Sequence, residues 1–266
     1  MQGKPLPPFA DDTWELYDTN TDWSQAHDLA AQMPDKLAEL QELFMDEARK
    51  YGVLPLDDRR IERFNSDLAG RPTLVHGTSQ LLFGGMSRLS ENVVINVKNK
   101  SHAVTAQVTI PDGGAEGVIV AQGGAFAGWS LHLKDGRPTY SYNLLGLQHF
   151  DITTDTTVPA GPHQVRAEFT YDGGGLGKGA DVALYLDSTR IGGGRLPATV
   201  PLAFSGDETC DLGSDTASPV SDQYTAQTSR FTGTVEWVQI DIADAAEDLD
   251  HLITPEQRLS IAMARQ

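Results

Sequence analysis

The chain has 266 residues, of which 39% are hydrophobic and 21% are charged, and its formal net charge at pH 7 is -17. This composition excludes a disordered chain as the default. The excess of carboxylates argues against DNA, RNA and anionic lipid as partners, because those polyanions are bound by clustered Lys and Arg.

The sequence also predicts a cytoplasmic protein with no membrane partner. No apolar stretch approaches the roughly 18 residues that a membrane-spanning helix needs. The segment Met1–Phe9 lacks the apolar core of a signal peptide. The single cysteine, Cys210, cannot form an internal disulfide, which agrees with a reducing compartment.

The first part of the chain predicts a short strand followed by one amphipathic helix. Trp14 and Leu16 flank a polar residue, as in a strand. Pro34 suits the first turn of a helix, and Gly52 is typical of a C-terminal stop. The apolar stripe between them consists of Leu37, Leu40, Phe44, Ala48 and Tyr51. We expect residues 1–70 to form one domain.

From Thr73 to Ala243 the pattern changes to short alternating runs separated by glycine, which predicts an antiparallel β-sandwich. The clearest hairpin runs from Trp129 through the turn Asp135-Gly136 to Leu144. A capping box at Thr254 opens a C-terminal helix. The predicted fold class is therefore mainly β, with a sandwich domain over residues 71–266 and a short α+β segment before it.

Several segments resemble known families. The run Trp14–Arg59, WELYDTNTDWSQAHDLAAQMPDKLAELQELFMDEARKYGVLPLDDR, resembles the closing segment of the catalytic domain of bacterial arylsulfatases, which are type I sulfatases. The stretches LLFGGMSRLSENVVINVKNKSHAVTAQV, YDGGGLGKG and FSGDETCDLGSDTASPV resemble the C-terminal extension of the larger members. The sandwich pattern around GWSLHL is similar to concanavalin-like and laminin-G-like jelly rolls.

The arylsulfatase resemblance implies a non-catalytic portion. The family's nucleophile is a Cys or Ser in a C/S-x-P-x-R motif, whereas Cys210 is followed by Asp-Leu-Gly-Ser and no serine heads that motif. We therefore assign no catalytic residue. The implied partner is a sulfatase catalytic chain, or a second copy through Trp14–Tyr51. One alternative is a stand-alone, carbohydrate-binding, lectin-like module, and another is a truncated product with no activity of its own.

Two sets of residues are candidates for ligand or metal binding. Strand aromatics can stack on a sugar or fill the core, and the set comprises Trp129, Tyr140 and Tyr142. Carboxylates of one glycine-punctuated loop can bind calcium or simply cap the loop. This second set comprises Asp207, Glu208, Asp211 and Asp215.

Overall fold

The computed structural model describes residues 8–56, 61–70, 72–246 and 250–263. Residues 1–7 and the Asp57–Arg59 end of the segment that resembles sulfatases lie outside the described residues. The chain divides into two compact units, Met1–Arg60 and Ile61–Gln266. This division falls before the predicted boundary at residue 70, because residues 61–70 are hydrogen-bonded to the sandwich. For example, the Asn65 amide donates to the Pro201 carbonyl at 3.2 Å.

The first unit contains a 3-10 helix at Phe9–Asp11 and the predicted helix, α1, at Pro34–Lys50. Leu16 lies in an extended segment rather than in a paired strand, because its backbone is held by a loop. Its amide donates to the Asp28 side chain at 2.9 Å, and its carbonyl accepts from Leu29 at 2.7 Å. The helix ends as predicted, since Gly52 adopts a positive φ of 66°.

An aromatic cluster joins this extended segment to α1. The Trp14 ring lies edge-on to Phe44 with a centroid distance of 5.5 Å, and Phe9 is 5.8 Å from Trp14. Within α1 only Ala48 is buried.

The second unit is an antiparallel β-sandwich, as predicted. One sheet has six strands in the order β1, β11, β2, β7, β8 and β9, with bounds Ser79–Phe83, Thr234–Ile242, His102–Ile110, Gly161–Tyr171, Ala180–Leu186 and Thr189–Leu196. The other has five strands in the order β10, β3, β4, β5 and β6, with bounds Cys210–Leu212, Gly117–Gly123, Gly128–Lys134, Arg137–Leu144 and Gln148–Thr153. The predicted hairpin is β4–β5, and Asp135 and Gly136 both have positive φ at its turn.

Among the described residues of the second unit there are two α-helices, a single turn α2 at Ser66–Ala69 and the predicted C-terminal helix α3 at Pro255–Met263. The capping box of α3 is formed: the Gln257 side chain accepts from the Thr254 amide at 2.7 Å, and the Thr254 hydroxyl accepts from the Gln257 amide at 3.2 Å. No helix in the described ranges is long and apolar enough to span a membrane.

The hydrophobic core lies between the two sheets. Alternate residues of β2 and β4 face it, among them Val104, Ala106 and Leu131. The outer faces of both sheets are also covered. The C-terminal segment reaches the six-stranded sheet, where Arg166 bonds to the carbonyl of Ala246. Residues 213–233, which connect β10 to β11 and which we call the strap, cover the five-stranded sheet.

Candidate functional site

The aromatic residues predicted as a sugar-stacking set lie in the core. Trp129 is fully buried, and its ring is nearly parallel to that of Tyr140 at a centroid distance of 6.1 Å. The indole N–H donates to the Gln122 side chain at 3.0 Å, and the Tyr142 hydroxyl accepts from the Val200 amide at 2.8 Å. Because these rings are enclosed between the sheets, the core alternative describes their role and their faces do not meet solvent.

The acidic residues predicted as a calcium set do not converge. Within residues 8–56, 61–70, 72–246 and 250–263, no group of three or more His, Cys, Asp or Glu side chains is placed to hold a metal ion. Asp211 accepts from the Arg88 amide at 2.6 Å and from the Thr216 hydroxyl at 2.7 Å. The exposed Asp207 accepts from the Ser205 hydroxyl at 2.9 Å. These acids cap and fasten their loop, which is the alternative that the sequence left open.

The other two acids of the set bind elements of the strap. Glu208 accepts from the Ser218 hydroxyl. Asp215 accepts from the Val220 amide at 2.8 Å and from the Tyr224 hydroxyl at 2.7 Å, and both bonds end on Oδ2. Burial raises the pKa of Asp215 to about 6, although these two hydrogen bonds oppose the shift.

The strap closes over a polar surface of the five-stranded sheet. The Tyr224 hydroxyl lies 2.9 Å from the Ser130 hydroxyl, and the hydroxyls of Ser141 and Ser221 are 3.2 Å apart. The Tyr224 ring also packs edge-on against His132 at 5.1 Å. Burial lowers the pKa of His132 to about 4, so this face holds a neutral imidazole at pH 7.

A cavity of about 430 Å³ lies within the second unit, between residues 64–67 and 72–77 on one side and residues 91–100 on the other. Its polar lining combines amide, carboxylate and ammonium groups. These groups include those of Asn65, Asp67, Glu91, Asn96, Lys98 and Lys100, and the lining also contains His76 and Asn92. A cavity of this size is in the range of small-molecule sites, which is roughly 300–1,000 Å³.

Part of this lining is a connected hydrogen-bond network. The Asn96 side-chain amide donates to Asp67 at 3.0 Å and to Asn65 at 3.2 Å. The Lys100 ammonium donates to the same Asp67 oxygen at 2.7 Å. Asn65 is buried and its own amide is held by Pro201, so the orientation of the Asn96 side chain is fixed before any ligand arrives.

Lys98, which is buried, and Glu91, which is half-buried, form an ion pair in the cavity lining. The Glu91 carboxylate also accepts from the Phe204 amide at 3.0 Å, and the Lys98 ammonium lies 4.8 Å above the Phe204 ring. Burial lowers the pKa of Lys98, and the Glu91 carboxylate opposes this shift. The pair gives the cavity one positive and one negative charge at fixed positions.

Apolar side chains complete the cavity. Val94 and Ile95 are buried, whereas Phe64 and Leu74 are exposed. Sequence reasoning missed this site because its walls come from segments that are far apart in the chain. The one signal is the alternation of polar residues at Asn96, Lys98 and Lys100, which the strand pattern of neighbouring segments obscures.

The apolar stripe of α1 is a second feature that stands apart from the core. Three of its large side chains remain at least one third exposed to solvent, although one of them, Phe44, also contacts Trp14, and a neighbouring leucine is exposed as well. They are Leu40, Leu43, Phe44 and Tyr51, of which Leu43 is 53% exposed. The first unit therefore covers this apolar helix face only in part.

No protein family model matches the sequence, and no curated protein does either. Among solved structures, the chain is similar to a heptameric SAP-like pentraxin from Limulus polyphemus, with 12% identity, a TM-score of 0.35, and coverage of 64% of this chain and 79% of that one. It is also similar to the CBM40 module of a Ruminococcus gnavus IT-sialidase, with 13% identity, a TM-score of 0.42, and coverage of 66% and 97%.

A third similar structure is the LG4-5 region of the mouse laminin α1 chain, with 16% identity, a TM-score of 0.37, and coverage of 65% of this chain and 41% of that one. At these identities the similarity concerns the fold alone.

Proposed function

We propose that this chain is the non-catalytic C-terminal portion of an arylsulfatase-like protein, and that its first unit completes a sulfatase catalytic domain. The observation that carries the proposal is the exposed apolar face of α1. Isolated helices gain most of their stability from packing such a face, and fully burying one large apolar side chain contributes about 1.5–3 kcal/mol. We therefore expect a partner to cover this face.

The resemblance of Trp14–Arg59 to the closing segment of sulfatase catalytic domains supports such a domain as that partner. In this arrangement α1 supplies packing surface to the catalytic domain, while the sandwich unit folds around its own core. The chain itself performs no sulfate ester hydrolysis. A homodimer through α1 is the competing arrangement, and the same experiment distinguishes the two.

The test mixes the purified chain with the catalytic domain of a bacterial arylsulfatase that has been truncated before its own closing segment. We expect a complex in sedimentation velocity and a gain in 4-nitrophenyl sulfate hydrolysis. Leu43→Asp is expected to weaken the association at least about tenfold, because the substitution places a charge at the edge of the apolar face, one turn from Leu40 and next to Phe44.

Leu147→Asp is the matched control, since Leu147 is an exposed leucine at a hairpin tip of the sandwich unit. This variant should associate like the unmodified chain. Three results would contradict the proposal: no complex, equal weakening by both substitutions, or aryl sulfate hydrolysis by the purified chain alone. A self-associated chain that Leu43→Asp disperses would favour the homodimer instead.

A second candidate function is carbohydrate binding by the sandwich unit on its own. The cavity of about 430 Å³ favours it, because it offers a preformed set of amide, carboxylate and ammonium groups. A glycan array probed with and without calcium tests this function. Absence of saturable sugar binding under both conditions would count against it.

A further inference from the structure

We propose that the cavity lined by residues 64–67, 72–77 and 91–100 binds a neutral, polyhydroxylated ligand, namely a monosaccharide ring or the end of a short neutral oligosaccharide. This inference deepens the second candidate function and rests on it. It does not depend on any association with a sulfatase domain.

The charges of the lining select a neutral ligand. Lys98 and Lys100 contribute two positive charges, and each is paired with a carboxylate, that of Glu91 or Asp67. An anionic ligand would meet these two carboxylates, and a cationic ligand would meet the two ammonium groups. Either would place an uncompensated charge in a partly buried site, which is costly.

The hydrogen-bonding groups suit hydroxyls, which both donate and accept. The Lys100 ammonium provides donors next to the Asp67 carboxylate, an acceptor, whereas the Asn96 amide already donates its two hydrogens to Asp67 and Asn65. The bonds from Asn96 and Lys100 to Asp67 both end on Oδ2. With respect to the described residues, the Oδ1 atom can therefore still accept a hydrogen bond from a ligand. Since Asn65 holds Asn96 in place, little conformational entropy is lost when a ligand binds.

The apolar part of the lining suits the C–H face of a sugar ring. Phe64 lines the cavity and is 63% exposed, so its ring is accessible from solvent. Aromatic side chains contribute large contact areas at low entropic cost. The combination of one accessible ring with a fixed amide and carboxylate network distinguishes this cavity from the enclosed aromatics of the core.

The experiment titrates the full chain with a panel of sugars, using calorimetry and ligand-observed NMR. The neutral probes are glucose, galactose, N-acetylglucosamine and lactose, and the charged ones are glucuronate and glucosamine. We expect saturable binding of at least one neutral probe and weaker binding of its charged analogue. Phe64→Ala should reduce the affinity at least about tenfold, and so should Asn96→Asp, which adds a charge at nearly constant size.

Phe126→Ala is the matched control, because Phe126 is also 63% exposed but lies in the β3–β4 turn outside the cavity. Its affinity should be unchanged. Thermal unfolding verifies that each variant is folded. Sugar binding that survives both Phe64→Ala and Asn96→Asp would overturn this site while leaving the second candidate function standing. Binding of no sugar would overturn both, and tighter binding of a charged analogue would overturn the neutral class.

Discussion

Replacing Arg166 with alanine is expected to lower the free energy of unfolding of the sandwich unit by about 3–5 kcal/mol. The guanidinium is buried and donates to Glu168 at 2.8 Å, to the Thr105 hydroxyl at 2.9 Å and to the Ala246 carbonyl at 3.1 Å. The substitution removes the guanidinium partner of Glu168, whose carboxylate also lies 2.6 Å from the His251 ring, and leaves the Ala246 carbonyl without this donor. Urea unfolding followed by tryptophan fluorescence measures the loss.

Arg195→Ala provides the matched comparison. Arg195 also pairs with a carboxylate, that of Asp172, but both side chains are largely exposed. Exposed ion pairs are screened by water and contribute little, so we expect a much smaller change in stability. Equal losses in the two variants would contradict the role assigned to burial at Arg166.

Replacing Asp215 with asparagine is expected to stabilise the sandwich unit at about pH 8 by about 2–3 kcal/mol. The pKa of Asp215 is raised from 3.8 to about 6 by burial, and each pKa unit corresponds to about 1.4 kcal/mol. The ionised form is therefore unfavourable in the folded protein above pH 6. Because both hydrogen bonds of Asp215 end on one oxygen, an amide oxygen can accept them in its place.

The same shift sets a pH dependence. The folded state binds this proton more tightly than the unfolded state, so protonation of Asp215 adds stability as the pH falls through about 6. The gain is complete below about 3.8. By about pH 5 the unmodified chain should have gained about 1 kcal/mol relative to Asp215→Asn.

Denaturant unfolding at several pH values measures both effects, and Asp207→Asn is the control. Asp207 lies before β10 and is exposed, so its replacement should change the free energy of unfolding by no more than about 0.5 kcal/mol. Destabilisation of Asp215→Asn at about pH 8 would show that the strap requires the ionised carboxylate.

The sequence predicted the sandwich well because its strands obey local rules. Residues close together in the sequence determine both the alternation at Val104, Ala106 and Val108 and the turn at Asp135-Gly136. The structure confirms both features. The segment around Leu16 has the alternation of a strand, but its backbone is hydrogen-bonded to a loop and not to another strand. The local sequence does not specify which of these two partners an extended segment pairs with.

The candidate sites were less predictable for a different reason. Spacing along the chain placed Asp207, Asp211 and Asp215 in one loop, but the direction of each carboxylate depends on remote donors such as Arg88 and Tyr224. Likewise, alternation brought Trp129 and Tyr140 to one face, while only tertiary packing determines that this face is enclosed. The cavity combines residues around Asn65 with residues around Asn96, a proximity that periodicity does not encode.

Because β1 pairs with β11 and the Ile242 amide donates to the Thr78 carbonyl at 2.8 Å, the polypeptide enters and leaves the sandwich at neighbouring points. The points where the chain enters the sandwich, at Thr78, and leaves it, at Ile242, are therefore close together in space. Tension applied across these two points would pull on one end of the antiparallel ladder and open its pairs in succession, starting at Ser79 and Asp241. Such unzipping makes the unit mechanically weak along this axis, whatever its thermodynamic stability.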